Sequence, residues 1–285
     1  MLRPLFIIIC FLSSKLFHAQ QLTGRVTDAI TGQAVSYASI GLTKANQGTT
    51  ATEDGQFTLG YLSQPAGDSL VVSCVGYQTV KLPVEKNKIS YEVLLERKNS
   101  QLKDVVIRHY SRKITLPRNK VKPSTILFTK KIISHIQAAQ LLEAPAAFTR
   151  LESVTIDTKR SMFIPKKKAR FRVRIYDYDS IAHKPGPEIC DSLIEVYGSG
   201  IITVKLDKFK IIIPQKRFFV AVQWLFIEEN LETEKSDGPG YDFYYRPGIR
   251  MNKVTEGEGN TWMQYHDQRW IRWKFDLAVT ATVLY

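Results

Sequence analysis

The side chains best suited to metal or proton chemistry are five histidines, His18, His109, His135, His183 and His266, and their spacing speaks against catalysis. A zinc hydrolase needs two ligands close in sequence, a third further on and a carboxylate to activate water. None of the five stands in a His-x-x-Glu or His-Glu-x-x-His arrangement. The stretch Tyr197-Gly-Ser-Gly200 lacks the Gly-x-Ser-x-Gly spacing of a nucleophile elbow and reads as a hairpin turn. Neither Gly-x-x-x-x-Gly-Lys nor Gly-x-Gly-x-x-Gly occurs, so no phosphate loop is expected. Asp177 and Asp179, with Glu188 and Asp191 beyond them, are oxygen donors of the kind calcium takes, and also ordinary solvated acids of a surface loop. No catalytic residue and no cofactor is expected.

Aromatic side chains carry the clearest binding signal. Tyr241, Phe243, Tyr244 and Tyr245 precede Arg246-Pro-Gly248, and Trp262, Tyr265, Trp270 and Trp273 follow a Gly-rich stretch. Flat rings beside polar groups stack on sugar faces or form protein contacts, and they also pack sandwich cores. Trp273 falls on the apolar face of the last strand and is assigned to core, which leaves Tyr244, Tyr245 and Trp262 as candidate ligand-binding residues.

These groups have to be positioned by β structure. Residues 1–20 read as a signal peptide, with Arg3, an apolar run over residues 5–12 and a cleavage site after Phe17-His-Ala19. That run is too short to span a bilayer, and Ile9 stands where a lipoprotein signal needs a small residue before Cys10. Behind it come short β-type runs broken by turns: Leu22 to Asp28, Ala34 to Ile40, and Gln56 to Leu59 after Glu53-Asp-Gly55. Gly24-Arg-Val-Thr-Asp28, Gly32, Gly48 to Phe57 and Ser73-Cys-Val-Gly-Tyr-Gln78 resemble the carboxypeptidase regulatory-like domain, a transthyretin-like seven-strand sandwich. The resemblance implies a fold and an exported setting in Gram-negative bacteria, not peptidase activity, because the zinc of those carboxypeptidases sits in a separate domain. The same module commonly precedes TonB-dependent outer-membrane receptors. There a segment like Leu102, Asp104, Val105, Val106 and Ile107 engages TonB by strand addition; the same residues read more simply as a last strand of their own sandwich.

The expected organisation is all-β: residues 21–107 form this sandwich, residues 108–123 a basic linker, and residues 124–285 a second, jelly-roll-like sandwich. Residues 130–142 read either as a helix or as the start of a sheet. Phe171, Val173 and Ile175 alternate with Arg172, Arg174 and Tyr176, an apolar and a charged strand face. Residues 218–227 are apolar on both faces, as a central strand is, and residues 270–285 read as one long alternating strand. That last run ends on an aromatic, as outer-membrane barrels do, but residues 159–174 and 228–235 lack a lipid-facing row.

The 285-residue chain carries a formal charge of +13. An exported chain meets no nucleic acid, so the basic linker and the arginine strand face suit an anionic membrane surface or solvent. Cys74 reads as a buried small apolar residue, with an interdomain disulfide to Cys190 as the other reading, and nothing specifies an oligomeric state. The expected role is binding or scaffolding toward an envelope protein or a glycan, with a glycan-binding accessory and a small outer-membrane or TonB-linked component as the other readings.

Overall fold

A computed structural model describes residues 20–61, 67–98, 109–117, 123–130, 135–159, 167–235, 241–254 and 259–285. The strand-addition candidates Leu102, Asp104, Val105, Val106 and Ile107 lie outside them, as do residues 1–19 of the expected leader. Strands make up 60% of the described residues, and the fold is all-β.

The N-terminal unit contains β1 (Gln20–Asp28), β2 (Ser39–Leu42), β3 (Gln47–Thr50), β4 (Gln56–Tyr61), β5 (Ser69–Ser73), β6 (Val80–Pro83) and β7 (Ser90–Leu95). They form a three-stranded sheet in the order β4-β1-β7 and a four-stranded sheet in the order β3-β2-β5-β6. β7 runs parallel to β1 and alternates exposed and buried residues, so Tyr91, Val93 and Leu95 point inward. With Leu22, Val26, Ile40, Leu42, Phe57, Leu70 and Val72 they make one core. This is the expected seven-strand sandwich.

The remaining strands share a second core. They are β8 (Lys113–Leu116), β9 (Thr125–Lys130), β10 (Gln137–Glu143), β11 (Thr149–Asp157), β12 (Ala169–Asp179), β13 (Lys184–Glu188), β14 (Ile194–Gly198) and β15 (Ile201–Lys205). Then follow β16 (Ile212–Ile213), β17 (Arg217–Trp224), β18 (Leu231–Lys235), β19 (Tyr241–Lys253), β20 (Thr261–Gln264), β21 (Trp270–Trp273), β22 (Phe275–Leu277) and β23 (Val279–Leu284). A seven-stranded sheet runs β13-β12-β17-β10-β20-β21, with β14 also on β12. It packs across the core from a sheet ordered β15-β11-β23-β8, with β16 also on β11, while β18, β19, β22 and β9 form a third sheet. Every pairing in this unit is antiparallel.

β17 is buried on both faces and lies between β12 and β10, as its unbroken apolar run requires. Of the two readings open for residues 130–142, the structure forms the sheet over residues 137–143, where Gln137 to Glu143 pair with β17 and Gln137 to Gln140 also with β20. Three features depart from the sequence reading. The expected linker contains β8, whose Leu116 joins the core while Thr115 faces out beside Thr282. The final run is three strands in three sheets, with bends at Lys274 and Ala278. Gly198 to Gly200 is no hairpin: β14 and β15 belong to different sheets, and Gly200, at φ 80°, turns the chain from one to the other.

Candidate functional site

The outward face of the seven-stranded sheet brings the chemistry-bearing residues together. Along β12 the side chains on this face are Arg170, Arg172, Arg174, Tyr176 and Tyr178; β17 supplies Phe219, Ala221 and Gln223, β10 supplies Gln137, Ala139 and Leu141, and β20 supplies Trp262 and Gln264. Ala139 and Ala221 are cross-strand partners near its centre, and their small size lets larger groups lean inward from both sides. The Tyr176 hydroxyl bonds the Gln137 carboxamide, two strands away, at 2.8 Å, and Gln137 donates onward to Gln264. The Tyr176 ring meets Trp270 of β21 edge-to-face at 5.5 Å. The sheet is therefore strongly curled, with β13 lying against β21.

Inside the curl runs an aromatic strip. Tyr178 stacks on Phe219 at 6.0 Å and 19°, and Phe219 meets Trp262 edge-to-face at 5.1 Å. Each end of the strip is covered by a guanidinium, Arg217 over Tyr178 at 5.5 Å and Arg272 over Trp262 at 4.7 Å. His183 Nδ1 bonds the Tyr178 hydroxyl at 2.8 Å. Burial, the largest cause, pushes the Tyr176 phenol up, so it stays neutral and able to donate.

The aromatic candidates are divided by this geometry. Trp262, 4% exposed, belongs to the strip. Tyr244 and Tyr245 are neighbours on β19, so their rings take opposite faces of the third sheet, against Phe128 at 4.4 Å and Phe226 at 5.1 Å. Asp179 accepts from Ile181 and Ala182 N–H and so caps the turn after β12, while Asp177 accepts from Tyr178 N–H and the Gln215 amide. Among the described residues no three His, Cys, Asp or Glu side chains gather as a metal site would require. Tyr176, Tyr178 and Phe219 were missed because their strands read as core and charged face; the signal was two tyrosines sharing a face with arginines on β12.

On the charged face of β12, Arg172 and Arg174 are turned away from solvent. Arg172 is 0% exposed and reaches into the N-terminal unit, donating to the carbonyls of Tyr37 at 2.8 Å and Ser36 at 3.0 Å, with Cys74 Sγ at 3.7 Å. Arg174 holds Glu188 with two bonds, at 2.8 and 2.7 Å, and Lys98 of the N-terminal unit lies 3.7 Å from the same carboxylate. Phe226 N–H donates to Thr50 Oγ1 at 2.8 Å, and His266 is buried against Gly41 and Gly48. Burial lowers His135 to about 4; burial, then the nearby His135, lowers His266 to about 3. Cys74 and Cys190 are buried free thiols.

Fold and face together define an all-β protein of two docked sandwiches, one with an aromatic concave sheet. Residues 22–107 match the family model of the CarboxypepD_reg-like domain, a regulatory-like rather than catalytic module. No curated protein matches the sequence. Among solved structures, the chain is similar to the cysteine protease and lectin-like domains of Cwp84, a surface layer associated protein of Clostridium difficile. The identity is 12%, over 53% of this chain and 32% of that one, with a TM-score of 0.34. The chain thus spans about a third of that clostridial chain's length. It is also similar to a candidate carbohydrate binding protein of Bacteroides uniformis (10% identity, 81% and 97% covered, TM-score 0.24). A candidate membrane-associated protein of unknown function from Bacteroides fragilis shares 12% identity (93% and 96% covered, TM-score 0.23). Among the described residues no helix is long and apolar enough to cross a membrane.

Proposed function

We propose that this is an exported, non-catalytic binding protein of a Gram-negative envelope, and that the curled face of its seven-stranded sheet takes a glycan. The edge of the strip carries the reading: beside the buried rings of Tyr178, Phe219 and Trp262, the partly exposed Trp270 and the exposed Arg217 and Arg272 offer an aromatic surface and hydrogen-bond donors side by side. Half-buried Trp270 extends the strip toward β21. The histidines support a binding rather than a hydrolytic role. His135 packs on the rings of Tyr265 and Trp273, His266 is buried in the contact between the units, and His183 is engaged by Tyr178.

A glycan array probed with the mature protein tests this. Binding is expected, weakened at least tenfold by Trp270→Ala and by Arg272→Ala, with circular dichroism confirming that both variants fold. A blank array, or binding that both folded variants retain in full, overturns the glycan reading.

A further inference from the structure

The two outer faces of the second sandwich differ. That of the seven-stranded sheet takes the N-terminal unit through Arg172. On that of the sheet β15-β11-β23-β8, the outward side chains of both edge strands are exposed: Ile201, Thr203 and Lys205 on β15, Lys113 and Thr115 on β8. Hydroxyls fill its middle, Thr155 bonding Thr203 at 2.8 Å and Thr282 bonding Thr115 at 3.1 Å. Cations gather at one end. Arg150 pairs with Ile212 of β16 on one side and Leu284 of β23 on the other, and Leu284 pairs in turn with Lys113. Lys205 closes β15, and exposed Lys208 and Lys210 lie in the turn that leads to Ile211, whose carbonyl accepts from Leu151 N–H. Arg150 and Lys113 are two strand spacings apart, roughly 10 Å and comparable with the Debye length in dilute salt, so these cations act as one field. The acidic side chains beside the five, among the described residues, are Glu152, which Lys113 holds, and Asp207.

An aromatic ring stands at the rim of this field. Phe148, 41% exposed, has φ 58°, a left-handed conformation that is strained for a bulky side chain. Its carbonyl accepts from the Tyr110 hydroxyl at 3.2 Å, and the Arg150 guanidinium lies over the Tyr110 ring at 5.5 Å, which ties the ring-bearing turn to the cations. We infer that this end of the sheet docks on an anionic lipid surface: Lys113, Arg150, Lys205, Lys208 and Lys210 meet headgroup phosphates, and Phe148 enters the interfacial layer. Cations spread over a sheet face beside an aromatic suit a bed of phosphates with apolar chains beneath, whereas a soluble polyanion gives the ring nothing to enter. The face is separate from the curled sheet and stands or falls independently of glycan binding.

Co-sedimentation of the mature protein with vesicles tests it, comparing phosphatidylcholine alone with a mixture containing phosphatidylglycerol. Binding to the anionic vesicles is expected to exceed binding to the neutral ones at least about tenfold in dilute salt, and to weaken severalfold at about 0.5 M salt. The double variant Lys205→Glu, Lys208→Glu changes two exposed side chains and is expected to cost at least about tenfold. Phe148→Gly, which suits the left-handed turn, is expected to weaken binding about threefold, with circular dichroism confirming that both variants fold. No partition onto vesicles, equal partition onto the two kinds, a folded double variant or Phe148→Gly variant that binds as wild type does, or binding to inorganic polyphosphate without binding to vesicles each overturns the inference.

Discussion

Asp28 is the single carboxylate on which the end of the N-terminal sandwich turns. It accepts from Thr31 N–H at 2.9 Å, Ile30 N–H at 3.0 Å, Arg97 Nε at 2.8 Å and the Tyr77 hydroxyl at 3.0 Å. The Thr31 N–H, against the opposing effect of burial and with help from Arg97, Ile30 and Tyr77, holds the carboxyl well below the usual carboxylate range. A depressed folded pKa contributes stability that is present above the unfolded value of about 3.9 and is lost as pH falls. Asp28→Asn keeps the shape and removes the titration. Melts between pH 2 and 5 are expected to show a shallower acid decline for Asp28→Asn than for wild type, and equal slopes would remove Asp28 from the explanation. The aspartate was visible in the sequence as part of Gly24-Arg-Val-Thr-Asp28, but not its partners. Tyr77 and Arg97 lie 49 and 69 residues further on, and only the closing of the sandwich brings them near.

Strands β2 and β3 carry the clearest steric demand. A Cβ at Gly48 would lie 1.9 Å from His266 Cε1, and one at Gly41 would lie 2.6 Å from its Nδ1. The imidazole is almost wholly buried there, so it has no open direction in which to yield. Gly48→Ala is therefore expected to destabilise the protein by about 1–3 kcal/mol through overpacking. It is also expected to separate the unfolding of the two sandwiches into two transitions in urea, and a single transition at the wild-type midpoint would count against an interlocked seam. At this scale the alternation of β12 and the two-sided burial of β17 were legible, because periodicity records burial directly. What covers a polar face was not: Arg172 and Arg174 alternate as solvent-facing residues do, yet they meet another sandwich and a buried glutamate. The last run failed as one strand for a related reason. Its alternation continues through the bends at Lys274 and Ala278, where Lys274 accepts from Val254 N–H just past β19 and Ala278 N–H donates to Arg250 of β19, in a different sheet.

For the whole molecule, the N-terminal sandwich was readable because turn glycines and β runs follow one another locally, whereas the curl of the large sheet depends on the pairing of β10 with β20, between residues more than a hundred positions apart. Trp262 and Tyr176 meet the same small core only through that curl, and Tyr244 and Tyr245, close to Trp262 in sequence, are carried to another sheet. The docking of the two sandwiches has a consequence for acid stability. His266 at the seam, lowered to about 3, and His135 nearby, lowered to about 4, are neutral in the folded chain and take up protons near pH 6.5 when it unfolds. Between those values the unfolded state binds more protons, so stability is full above about pH 6.5 and falls as pH drops toward 4. Each histidine is expected to remove about 2 kcal/mol between pH 7 and pH 5, a window well above the one set by Asp28. Urea unfolding at pH 7, 6 and 5 measures the loss, and His266→Gln is expected to reduce it by about half while leaving the decline below pH 4 in place. A variant whose stability falls as steeply as wild type between pH 7 and 5 would show that His266 accepts its proton without leaving the seam.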